Sequence, residues 1–168
     1  MGGKQFTSTI PGTLDGKGRV CIPSVFRQAL ELQGTHGIYV CKPVIEPVIE
    51  CFGQEFYDET QTRYAGVNPL FDADMNDDLE YFNAHTSSLI FDANGRVRLP
   101  DELIANAGLV DKVMFVGGGK TFKICTPEQF AAFDAERAAR IRARMLAQQA
   151  AAQAKYAAMA AAAANQPK

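Results

Sequence analysis

This 168-residue chain has no tryptophan and only two histidines, His36 and His85. Neither histidine has a second ligand at metal spacing, so no metal centre is expected. The four cysteines, Cys21, Cys41, Cys51 and Cys125, form no Cys-x-x-Cys pair, and buried reduced thiols are the expected state. There is no Gly-x-Ser-x-Gly and no Cys–His pairing that the sequence supports. No catalytic residue, cofactor or enzymatic activity is therefore expected. A membrane-spanning run of about 18 apolar residues is missing too. No basic stretch followed by an apolar one opens the chain, and Phe6 stands where a myristoylation motif needs Ser or Thr. The expected compartment is the cytoplasm.

Two partial motifs fall short of their chemistry. Gly117-Gly118-Gly119-Lys120-Thr121 resembles the end of a phosphate loop, but Met114 stands where the first glycine belongs. The residues that follow read as a strand instead of a helix, so a β-hairpin turn is expected. Asp72-Ala73-Asp74-Met75-Asn76 begins like a calcium loop, but Asp77 and Asn83 replace its glycine and its last glutamate. A helix-capping acidic stretch is expected there.

Net charge is −2, yet its distribution is uneven. Residues 1–48 carry five basic and three acidic groups, and residues 49–90 carry one and nine. Residues 91–133 balance at five each, and residues 134–168 carry six and two. Local patches can act on a partner even when the total is near zero. In the last segment Arg137, Arg140 and Arg144 fall at i, i+3 and i+7, on one face of a helix. That face is either merely solvated, a sequence-independent contact with a nucleic acid, or a contact that sets oligomer size.

The chain also contains a duplication. Leu14-Asp15-Gly16-Lys17-Gly18-Arg19-Val20-Cys21-Ile22-Pro23 returns, degenerate, as Phe91-Asp92-Ala93-Asn94-Gly95-Arg96-Val97-Arg98-Leu99-Pro100. Two copies do not make a solenoid, which needs three or more. They suggest one domain of two similar halves about a pseudo-two-fold axis. Each copy reads as an Asp-x-x-Gly-Arg turn, a short strand, a proline, a helix stopped by Gly34 or Gly108, and two more strands. Each half is thus β-α-β-β. Residues 55–64 and 74–84 read as helices between the halves. Thr126, Pro127 and Gln129 predict a capped helix that runs into an Ala-rich tail.

The two turns carry the candidate chemistry. Glycine at Gly18 and Gly95 permits positive φ and close approach of a partner. Asp15 and Asp92 suit bonds to the turn's own amides. Arg19 and Arg96 then have two open roles: a donor fork toward phosphate or guanine, or an ion pair with the turn's own aspartate that serves folding alone. Lys17 adds a cation in the first copy only.

These tandem motifs, with a helical insert between them, resemble the MraZ family of bacterial regulators, whose chains hold two SpoVT-AbrB-type units. The resemblance spans roughly residues 6–133. It implies an α+β fold: a pseudo-two-fold swapped-hairpin β-barrel, AbrB-like, with a helical insert and a C-terminal helix. The implied domains are 8–54 and 87–130 for the repeats, 55–86 for the insert and 131–168 for the tail. It further implies a ring-like homo-oligomer in the cytoplasm, associated with the nucleoid. That oligomer would bind double-stranded DNA at promoter repeats, typically those of its own division and cell-wall gene cluster. Lys17, Arg19 and Arg96 match the family's DNA-facing positions. Asn94 replaces the lysine in copy two, Ile104 stands where copy one has Arg27, and the Ala-rich tail has no obvious counterpart in the pattern. Two other functions fit the same fold: an AbrB-type antidote that masks a toxin, and a structural ring without DNA.

Overall fold

The computed structural model describes residues 3–167. Its elements run β1 (Thr9–Thr13), β2 (Arg19–Cys21), α1 (Ser24–Leu32), β3 (Gly37–Cys41), β4 (Ile49–Phe52), α2 (Gln54–Arg63), α3 (Ala73–Ala84), β5 (Thr86–Ile90), β6 (Arg96–Arg98), α4 (Asp101–Ala107), β7 (Lys112–Gly117), β8 (Thr121–Cys125) and α5 (Pro127–Ala164). The class is α+β with antiparallel strands. Residues Met1–Phe130 form one compact unit and Ala131–Lys168 a second.

The first unit is built around an antiparallel sheet in the order β1-β7-β8-β4-β3-β5. Read backwards with the repeats exchanged, that order is unchanged, so the pseudo-two-fold axis passes between β4 and β8. The halves are interleaved. β1, which precedes the first turn, pairs with β7 of the second copy, Thr9 lying opposite Val116. β5, which precedes the second turn, pairs with β3 of the first, Ile38 opposite Leu89. β2 and β6 form a separate two-stranded ribbon.

Two expectations need correction. Each half is β-β-α-β-β, one strand longer than its sequence suggests. The missed strands, β1 and β5, contain Pro11 and Gly12 or two serines, and stand at the ends of the sheet, where proline is tolerated. Nor do the strands close into a barrel. Next to each ribbon strand the chain bends through an aspartate turn, and β1 meets β2 only at the isolated bridge Leu14↔Val20. The ladder is interrupted there, and the sheet stays open.

The core follows from alternation and helix periodicity. Val20 and Val97 are buried on the inner side of the ribbon, and α1 contributes Phe26, Ala29 and Leu30. α4 contributes Leu103 and Ala107. Phe6, Phe26 and Phe122 meet edge-on or tilted at centroid separations of 4.8–5.5 Å, packing α1 onto the sheet. The insert helices α2 and α3 bring Tyr57 and Phe82 against Tyr39 and Phe52 of the sheet. β7 and β8 join through the Gly118–Lys120 turn, as a hairpin. Thr126 caps α5 reciprocally: its Oγ1 accepts from the Gln129 amide at 3.1 Å, and Gln129 Oε1 accepts from the Thr126 amide at 2.8 Å.

Cys41, Cys51 and Cys125 are buried, and Cys21 is exposed. The expectation of a buried thiol fails at Cys21 because Val20 takes the inward register of β2, which turns its neighbour to the surface.

Candidate nucleic-acid interface

Both turns are built alike. The Gly18 amide donates to the Asp15 carbonyl at 3.1 Å and the Asp15 amide to the Arg19 carbonyl at 2.9 Å. The corresponding bonds of Gly95, Asp92 and Arg96 measure 3.0 and 2.9 Å. Gly18 and Gly95 have φ of 74° and 73°, a region open to glycine at little cost. Asp15 Oδ1 accepts from the amides of Lys17 and Arg19 at 2.9 and 2.8 Å. Asp92 Oδ1 accepts from Asn94 and Arg96 at 2.8 and 2.9 Å.

Each arginine is tied to its own aspartate. Arg19 Nε donates to Asp15 Oδ2 at 2.7 Å, and Arg96 Nε to Asp92 Oδ2 at 2.8 Å. The folding role that the sequence left open is therefore present in both copies. It uses Nε alone; among the described residues the terminal nitrogens of both guanidiniums make no hydrogen bond to protein. The Arg19 amide above all, with its guanidinium and the Lys17 amide behind it, holds the Asp15 carboxyl below its ordinary range. The Arg96 amide leads in the same way at Asp92. Both aspartates stay ionised and keep the turns rigid at neutral pH.

The ribbon locks the turns to each other. Arg19 lies opposite Arg98, Val20 opposite Val97, and Cys21 opposite Arg96. The valines face the core, so Arg19, Cys21, Arg96 and Arg98 share the outer face. The Gly18 carbonyl accepts from the Leu99 amide at 2.8 Å, and the Gly95 carbonyl from the Ile22 amide at 3.1 Å. Arg98 Nε donates to the Lys17 carbonyl at 3.2 Å, while Cys21 Sγ, its counterpart, approaches the Asn94 carbonyl at 3.6 Å. Beneath Gly95 lies the Arg27 guanidinium, which would stand 2.6 Å from an added Cβ; beneath Gly18 lies Ile104 Cδ1 at 3.2 Å. The exchange of arginine for Ile104 thus exchanges the floor of the opposite turn.

Lys17, Arg19 and Arg96, singled out in the sequence, are gathered on this ribbon and its turns. The sequence reading missed Arg98 as part of the group. The signal was there: with Val97 inward, period-two alternation turns both Arg96 and Arg98 outward. Arg98 Nη2 also meets Asp101 Oδ1 at 3.5 Å, and Lys17 and Arg27 have no ion pair among the described residues. No group of three His, Cys, Asp or Glu side chains is close enough to hold a metal, again among the described residues. Among the described residues no helix is long and apolar enough to cross a membrane.

A family model described as "MraZ protein, putative antitoxin-like" matches residues 82–151. The Transcriptional regulator MraZ of Parvibaculum lavamentivorans is 36% identical over 138 residues, 82% of this chain and 85% of that protein. The chain belongs to the MraZ family. Two further proteins named Transcriptional regulator MraZ, from Xanthobacter autotrophicus and Gluconobacter oxydans, are each 37% identical. Those matches cover 82% and 85% of this chain, and 87% of each relative. The MraZ family model runs past the body to residue 151. The arginine-bearing part of the tail thus lies inside the family match, while the Ala-rich residues from 152 onward lie outside it.

Proposed function

We propose that this chain is a transcriptional regulator that grips double-stranded promoter DNA with the outer face of the β2–β6 ribbon. One observation carries the reading: a rigid two-stranded ribbon presents Arg19, Arg96 and Arg98 together, between two turns fixed to within about 0.1 Å of each other in their bonds. A two-stranded β-ribbon fits the major groove, and arginine is the usual reader of guanine there. Asp15 and Asp92 act as positioners. Each holds an arginine by Nε and leaves the paired terminal nitrogens for a base edge or phosphate. Lys17 supplies phosphate affinity on one side of the axis only.

One ribbon makes few contacts, so useful affinity comes from repetition. We read the chain as a subunit of a ring-like homo-oligomer that meets short DNA repeats several at a time. In this reading residues 8–54 and 87–130 are the two SpoVT-AbrB-like units, 55–86 the insert and 131–168 the tail. The interleaved sheet is an opened form of the swapped-hairpin fold. The target is the promoter of its own division and cell-wall gene cluster, and the protein works in the cytoplasm, at the nucleoid.

Fluorescence anisotropy on the DNA upstream of its own gene, with a random duplex of equal length beside it, tests this. Tighter binding to the upstream DNA, weakened by Arg19→Ala or Arg96→Ala, is expected. Equal affinity for both duplexes would overturn it. Co-purification of a small toxin that occludes the ribbon would favour the antidote reading, which the family model's description keeps in view.

A further inference from the structure

Helix α5 continues as a single helix to Ala164, and every described residue from Asp134 onward is exposed. Five large apolar side chains on it stand in water: Ile141, Met145, Leu146, Tyr156 and Met159, at 40, 57, 58, 76 and 60% exposure. Four of them line up. At 3.6 residues per turn Ile141, Met145, Tyr156 and Met159 fall, with Gln148 and Ala152, on one stripe about 80° wide, and Leu146 lies outside it. Arg137, Arg140 and Arg144 flank it on one side.

The stripe is close to palindromic. Ile141 and Met159 are centred on Ala150, as are Gln148 and Ala152; Met145 and Tyr156 are centred half a residue away. A two-fold axis across the helix at Ala150 therefore lays the stripe on itself. Each large side chain then meets a large one, and the small Ala152 lies at the crossing, where helix axes can approach to about 8 Å.

Charge selects the direction. A parallel pair would set the arginine clusters of two chains at the same level. An antiparallel pair separates them along the axis, leaves Lys155 as the cation nearest the partner's Arg144, and brings Arg137 and Arg140 alongside residues 160–163 of the other chain. That end of α5 has no basic residue in its last turn. It is the negative end of a long helix dipole, which cations stabilise. Gln148, the polar member of the stripe, lies close to the axis, where a single polar group at a packed position fixes register.

We propose that α5 is a self-pairing helix, its Ile141–Met159 stripe docked antiparallel on the same stripe of a second copy about an axis at Ala150. The overlap, residues 137–163, is about 40 Å long. The contact needs neither DNA nor the ribbon, so it links subunits whether or not the proposed function holds.

Disulfide trapping of the full chain tests it. In a Cys21→Ser background, which removes the exposed native thiol, Ile141→Cys and Met159→Cys chains are oxidised separately and mixed. Cross-linked dimer is expected in the mixture and not in either sample alone. Light scattering without DNA should show a twofold fall in mass for Met145→Glu/Tyr156→Glu, with helix content by circular dichroism unchanged. Ile141→Cys chains that link to one another as readily as the mixture links would show parallel pairing and overturn the proposal. So would absence of cross-linking in every sample, or an unchanged mass in the charged variant.

Discussion

Replacing Arg19 by alanine separates the two roles that the structure combines in one side chain. Its Nε is held by Asp15 at 2.7 Å, so Nη1 and Nη2 are what it offers to DNA. A good bidentate contact with a base contributes about 1–3 kcal/mol of discrimination. At 1.4 kcal/mol per tenfold, that is about 5- to 140-fold in affinity for each engaged subunit. The turn itself should survive. Asp15 Oδ1 keeps its bonds to the amides of residues 17 and 19, which alanine retains, and Val20 stays in the core. Anisotropy at one fixed salt concentration, on specific and random duplexes, measures the loss; a thermal melt checks the fold. Arg19→Lys sharpens the test. Lysine keeps the charge and loses the fork, so it should hold random DNA nearly as well as arginine and lose much of the preference for the specific site. Wild-type affinity and preference in both variants would refute the reasoning. A collapsed melting transition in Arg19→Ala would instead make the arginine a folding residue.

Lys17→Asn, which copies the second turn into the first, should flatten the salt dependence of DNA binding by about one unit of log–log slope per engaged copy; an unchanged slope would mean that Lys17 meets no phosphate. Gly37→Ala places a Cβ 2.1 Å from the Leu89 carbonyl oxygen in the β3–β5 ladder, and urea denaturation should register a loss of about 1–3 kcal/mol. Thr126→Ala removes the N-cap of α5 and should cost about 1 kcal/mol by the same measurement. Burial pushes the Glu50 carboxyl up, against the pull of the Thr121 hydroxyl and Lys123. Because its folded value is raised, its contribution favours the fold below the unfolded pKa and is lost as pH rises through the folded one. Glu50→Gln should therefore raise stability at neutral pH and flatten the profile above the ordinary glutamate range; a steeper profile would contradict this.

The repeat was legible because its turn depends on side chains that cannot be exchanged freely: an aspartate to bind amides, a glycine for positive φ, a proline to end the strand. Helix boundaries were legible to within about a residue, through the prolines before α1 and α4, the glycines after them and the Thr126–Gln129 cap of α5; Asp72 stands at the N-cap of α3 without a side-chain capping bond. β1 and β5 were not, since Thr9-Ile-Pro-Gly-Thr13 and Thr86-Ser-Ser-Leu-Ile90 bury little and owe their conformation to the strands beside them. Interleaving of the halves is equally silent in the chain, because no local rule makes β1 seek β7. At the ribbon, Lys17, Arg19 and Arg96 stood out by motif. Arg98 and Cys21 were open to period-two alternation from the inward valines, but their places opposite Arg19 and Arg96 were not, being a fact of pairing across the two copies.

That interleaving also sets a timetable. Thr9 finds its partner only at Val116, and Ile49 only at Ile124, so neither half holds a complete set of strand neighbours while the ribosome is still making the other. Loop closure over such separations is slow, and its entropy is lost before any long-range contact compensates. The sheet can therefore be completed only once β8 has left the exit tunnel. A chain that stops before that point leaves Phe6 and Phe26 without Phe122 and Ile49 without Ile124, a target for proteases and not a half-active regulator.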